Sequence, residues 1–85
     1  MNLRWLESFI ATHDCGSIAK AAVVLKVGQP AVSKHIMSLE RCLGVPLFCK
    51  KVRPVQLSSA GRRLLPVARN VVASLKDVVV EQPSD

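Results

Sequence analysis

Between Leu3 and Asp14 the apolar residues Leu3, Leu6, Phe9 and Ile10 recur at helical spacing. That pattern predicts a first helix over residues 3–14 with a single buried stripe. Gly16 supplies the stop, because glycine readily takes the left-handed conformation that closes many helices. Ser17 then caps a second helix, Ile18 to Leu25. Ala19, Ala21 and Ala22 keep this helix thin, so another helix can cross it closely after a turn at Lys26–Gly28. A third helix starts at Gly28, with Gln29 and Pro30 in its first turn, where proline's missing amide has no intrahelical partner to lose. Val32, Ile36, Leu39 and Leu43 follow at steps of four, three and four, a clean apolar face. Gly44 and Pro46 end it.

Two short extended runs come next, Leu47–Cys49 and Val55–Leu57, separated by the basic tip Lys50-Lys51-Val52-Arg53-Pro54. They predict a hairpin, or wing, of about two or three residue pairs, kept short by Pro54. Ser58 or Ser59 then caps a last helix running to about Val80. Leu65, Ala68, Val72, Leu75 and Val79 step along it as the a/d seam of a helix–helix interface. Leu64, Val67, Val71 and Val78 form a second stripe beside the first. One stripe can bury against the domain's own core, and the other needs a partner chain. Pro66 removes one backbone hydrogen bond near the helix start. Residues 81–85 read as a hinge or the end of an excised piece. The expected core is Leu6, Phe9, Ile36, Leu39 and Leu47.

Composition narrows this picture. With 85 residues there is room for one small domain, and with one Trp, two Phe and no Tyr its core is aliphatic. That suits helices packed on helices. Twelve Lys and Arg against six Asp and Glu give a net charge of +6. Between Lys26 and Arg69 the imbalance is sharper. Lys26, Lys34, Arg41, Lys50, Lys51, Arg53, Arg62, Arg63 and Arg69 stand against the single acid Glu40. Such a block suits a polyanionic partner, although a solvated surface would look the same. The three cysteines, Cys15, Cys42 and Cys49, are odd in number and lack a C-x-x-C, so they suggest neither a disulfide framework nor a zinc site. No apolar stretch approaches the ~20 residues of a membrane span. Arg4, Glu7, His13 and Asp14 exclude a signal peptide at the start. The expected location is cytoplasmic.

The chemistry gathers on residues 18–37, a helix-turn-helix followed by a basic hairpin. At 100° per residue, Pro30, Lys34, Met37 and Arg41 lie opposite the apolar face of the third helix. A major groove accepts one helix whose N-terminal residues meet base edges. Gln29 suits an adenine edge, Ser33 several bases, Lys34 a guanine or a phosphate, and Pro30 a thymine methyl. Each taken alone is more often an ordinary exposed residue, and the wing in the right place is what favours DNA.

The run Leu25, Gly28-Gln29-Pro30-Ala31-Val32-Ser33-Lys34-His35-Ile36, Leu39-Glu40, Leu43-Gly44-Val45-Pro46-Leu47-Phe48 and Leu57-Ser58-Ser59-Ala60-Gly61 resembles the signature of LysR-type transcriptional regulators. Gly16-Ser17-Ile18 with Ala21-Ala22 fits the same family's second helix. Gly28, His35, Lys50 and Ser58 depart from its usual Ser or Thr, Gln, Arg and Thr. The resemblance implies a mainly α fold: a winged helix-turn-helix of three helices and a short two-stranded wing over residues 1–58, then a linker and dimerisation helix over 59–80. It implies base reading by Gln29, Pro30, Ser33 and Lys34, and contact of Ser17, Lys50, Lys51 and Arg53 with the DNA backbone or minor groove. The implied partners are partly palindromic promoter DNA and a second copy, joined through Leu65, Ala68, Val72, Leu75 and Val79, with a tetramer open to the full-length protein. It further implies no cofactor in this fragment and, in a longer parent protein, a C-terminal domain that binds a small-molecule effector.

Two other readings compete. A protein-interaction module would use the last helix and leave the basic face merely solvated. An enzyme would need a metal cluster, a nucleophile–base pair or a phosphate loop, and the sequence carries none; His13 and His35 have no catalytic partners in view. RNA is disfavoured because its narrow A-form major groove excludes a recognition helix.

Overall fold

The computed structural model describes residues 2–49 and 52–81, with side chains as far as Val78. Lys50, Lys51, the Val79 side chain and the expected hinge beyond Glu81 lie outside the described residues. Four helices follow one another: α1 (Leu3–Cys15), α2 (Ile18–Leu25), α3 (Gln29–Leu43) and α4 (Ser59–Glu81). Each starts within a residue or so of its expected position.

The helix ends have local causes. Asn2 caps α1 through its side-chain oxygen on Arg4 N. Ser17 Oγ accepts from Lys20 N at 3.0 Å and caps α2. Gly16, at φ 81, closes α1 and lets the chain turn at once into α2. The left-handed residue of the helix-turn-helix turn is Lys26, at φ 61, rather than Gly28. Gly28 sits in extended backbone and caps α3 without a side-chain bond.

Helix α1 packs against all three other helices, and α2 also packs on α3. One core cluster joins Leu6 and Phe9 of α1, Leu39 of α3, Leu47, and Ala68 and Val72 of α4. A second joins Ala21 and Ala22 of α2 with Val32 and Ile36 of α3. Phe48 packs against both clusters and meets the Phe9 ring at a tilt of 53°, with 5.4 Å between ring centres. All five expected core residues are buried. Leu43 is not; at 39% exposure it lies past the end of the core.

Two expectations change. The hairpin is a single antiparallel bridge between Phe48 and Leu57, and the described residues contain no two-stranded ladder. Cys49 N donates to Gln56 O and Ser58 N to Leu47 O, which holds the two arms together. On the outer side of the returning arm, Val55 N donates to Gly16 O at 3.0 Å. Pro54 has no amide to offer. The arm is thus short of a ladder donor at position 54, and it is tied sideways to the α1–α2 turn.

The two stripes of α4 also divide differently. Ala68 and Val72 are buried in this chain's own core, and Leu65 is partly buried against it. These three were expected at the seam with a partner, and burial removes Ala68 and Val72 from it. The exposed stripe is Val67, Val71, Leu75 and Val78, at 55%, 38%, 43% and 57%. They span about 80° of the helix surface.

Helix α4 begins tightly against the hairpin. Ser58 Oγ accepts from Gly61 N at 3.0 Å and donates to Pro46 O at 2.7 Å. Gly61 is buried, and a Cβ there would collide with the Leu47 carbonyl and press on Leu57. The obstacle is backbone, which cannot rotate away. Gly61→Ala is expected to destabilise the fold by about 1–3 kcal/mol, read as a lower midpoint in urea at unchanged slope.

Candidate nucleic-acid interface

The α2–α3 pair is built on small residues. Ala21 and Ala22 are buried against Val32 and Ile36, so the two helices meet closely. This turns the opposite side of α3 outward. Gln29, Pro30 and Lys34 are exposed, Ser33 is half-buried, and Met37 and Arg41 continue the same exposed side.

A concave notch of about 430 Å³ lies between the starts of α2 and α3 and the hairpin arm. Ser17 and Ala19 form one side, Gln29 and Ser33 the second, Val52 and Arg53 the third. Four of the expected contact residues, from three separate segments, therefore surround one hollow. Pro30 and Lys34 are exposed at the head of α3 but do not line it. The Ser17 oxygen already serves as the α2 cap, which leaves its hydroxyl hydrogen to donate outward. Arg53 is exposed.

The basic surface is smaller than the sequence block suggests. Arg69 forms a two-pronged pair with Asp14, at 2.7 and 3.1 Å, against α1. Lys76 lies 3.9 Å from Glu7. On each helix the two partners are seven residues apart, so the pairs flank the antiparallel α1–α4 contact. Lys20, Lys26, Lys34, Arg41, Arg53, Arg62 and Arg63 are exposed, with no ion pair among the described residues.

Several residues that the sequence reading left without a role act on shape. The Glu40 carboxylate accepts from Leu47 N at 2.7 Å, so the lone acid of the basic block fixes the chain after α3. His35 Nδ1 lies 2.7 Å from Ser8 Oγ, which turns its ring toward α1 and away from the outer face of α3. Neither role is visible in periodicity. The signal for Glu40 was only that an isolated carboxylate among cations needs a reason. Among the described residues, no three His, Cys, Asp or Glu are placed to hold a metal, and no helix is long and apolar enough to cross a membrane.

A polar helix head set by a short crossing helix, beside an arm carrying arginine, defines a helix-turn-helix domain. The sequence profile described as "Bacterial regulatory helix-turn-helix protein, lysR family" matches residues 3–62, and the chain belongs to that family. An uncharacterised helix-turn-helix regulator from the ibpB-leuC intergenic region of Azotobacter vinelandii is 46% identical over 91% of this chain and 54% of its own length. The regulator ShiR of Corynebacterium glutamicum is 45% identical over 87% of this chain and 25% of its own. The chain thus spans about half or less of these relatives. The crystal structure of a CbnR_DBD–DNA complex superposes with a TM-score of 0.85 at 35% identity, over 92% of this chain and 90% of that one.

The α1–α4 pair has a pH signature. The Arg69 guanidinium, mainly through its hydrogen bonds, holds the Asp14 carboxyl below its ordinary value, and the pairing raises Arg69. Because the folded value of Asp14 is the lower one, its contribution is complete above the unfolded Asp value of about 3.9 and is lost as pH falls through the folded value. Both side chains are nearly half exposed, so screening limits the effect. Asp14→Asn is expected to lose roughly 0.5 kcal/mol at neutral pH. In urea titrations the gap to wild type should shrink in high salt and close toward about pH 2, well below that unfolded value.

Proposed function

We propose that this domain binds double-stranded promoter DNA sequence-specifically, at partly palindromic sites in the bacterial cytoplasm, and so regulates transcription. The observation that carries this reading is the notch, where Ser17, Gln29, Ser33 and Arg53 converge from three segments. The likeness to the CbnR_DBD–DNA complex supports it. In this reading the head of α3 enters the major groove, where Gln29, Pro30, Ser33 and Lys34 meet base edges. Ser17 donates to a phosphate. The 47–57 segment acts as the wing, with Lys50, Lys51 and Arg53 on the backbone or in the minor groove. Arginine suits a narrow, A/T-rich minor groove.

The same reading includes a two-fold pair of chains. The exposed stripe Val67, Val71, Leu75 and Val78 is apolar, continuous and on the face of α4 away from α1. This stripe supports pairing in place of the Ala68 and Val72 seam. A second copy would cover it and match a two-fold operator, joining two weak half-site contacts into one avid event.

Two measurements test this. A site is first selected from random DNA. Gln29→Ala should then lose about 1–3 kcal/mol on that site and relax preference at one base position, with binding to random DNA little changed. An unchanged ratio of specific to random affinity would remove Gln29 from base reading. Leu75→Asp should leave the domain folded, since Leu75 is outside the core, and should yield monomers in sedimentation and weak binding to a palindrome. A wild-type chain that is monomeric at tens of micromolar would refute the pairing.

A further inference from the structure

The outward face of α3 carries one large apolar side chain. Met37 is 57% exposed, between Lys34 one turn before it and Arg41 one turn after. At 100° per residue, Gln29, Pro30, Ser33 and Lys34 span an arc of about 140°, and Met37 falls within about 10° of its middle. It stands about 6 Å beyond Ser33 along the helix axis and about 10 Å beyond Pro30, inside the roughly 12 Å width of a major groove. Ser33 lines the notch and, with Met37, the hollow that adjoins it, so the two side chains border one continuous surface. Lys34 and Arg41 are exposed and have no ion pair among the described residues. Both are available to phosphates, which would hold the helix along the groove with Met37 between them. Methionine has no donor for a phosphate. Its long, polarisable chain instead suits an apolar projection, and the one such group that a base pair presents in the major groove is the C5-methyl of thymine.

We propose that Met37 packs on the C5-methyl of a thymine and sets a preference for thymine at one position of the half-site, beyond those met by the first turn of α3. This rests on the DNA-binding reading given above. One buried methyl group corresponds to about fourfold in affinity.

The test uses a site that the whole chain selects from random DNA. Each thymine of one half-site is replaced in turn by deoxyuridine, which pairs identically and lacks only the methyl. At one position wild type should bind the deoxyuridine site about fourfold more weakly. Met37→Ala should bind the thymine site weakly and should no longer distinguish the two. Met37→Leu, still apolar, should keep a preference of about twofold or more. Binding to random DNA should change little in either variant, and circular dichroism checks their helix content. A thymine met by Pro30 keeps its deoxyuridine penalty in Met37→Ala, which separates that contact from this one. Three results would overturn the assignment and leave the DNA-binding reading intact: a selected half-site without a methyl-sensitive thymine, penalties that all survive Met37→Ala, or a preference that Met37→Leu loses as fully as Met37→Ala does. A wild-type chain that enriches no site from random DNA would instead remove the DNA-binding reading, and the role of Met37 with it.

Discussion

Leu47 is held from every side, and the placement of the hairpin depends on it. Its side chain is fully buried in the larger core cluster. Its amide is held by Glu40 of α3, its carbonyl accepts from Ser58 N, and Gly61 of α4 presses against that same carbonyl. One residue thus joins α3, the hairpin and the start of α4. A buried backbone group without a partner would cost about 1–3 kcal/mol. Satisfying both groups of Leu47 with neighbours from different elements makes their relative positions hard to change separately. The arm that carries Arg53 is aimed by this arrangement and by the tie from Val55 to Gly16.

The helices were legible because their signals are local. Periodicity and caps placed α1, α2 and α3 nearly to the residue, and the alanines of α2 announced a close crossing. The polar head of α3 was equally plain, since the buried face of an amphipathic helix fixes what its other face offers. The exception within the turn is instructive. The turn at Lys26–Gly28 contains a glycine, yet the left-handed position falls on Lys26, whose amide bonds back to Val23. The helix end sets that geometry, and lysine tolerates it at a modest cost.

The rest was decided by tertiary contacts. Nothing between residues 47 and 57 reveals that Val55 will spend its amide on Gly16. On α4 the two apolar stripes are nearly equivalent in composition, so periodicity could not say which one turns inward. A signal did exist. Arg69 and Lys76 flank the stripe containing Ala68 and Val72, while Glu7 and Asp14 stand seven residues apart on α1. Matching charges at matching spacing would have identified the face that docks.

Helix α4 is fixed at one end only. Its contacts with α1 cease near Lys76, and every residue from Ala73 to Val78 is exposed. A helix of 23 residues is about 34 Å long, so it behaves as a stiff lever whose fulcrum is the α1 contact. Pivoting by about 10° at Ala68, about 20 Å from the helix end at Glu81, sweeps that end through roughly 3 Å. In a two-fold pair of the kind proposed, a slight change in the angle between two such levers would change the separation of the two α3 helices by a few ångströms. On the proposed reading, the spacing of the two α3 helices would be governed by the pitch of a hinge far from any base.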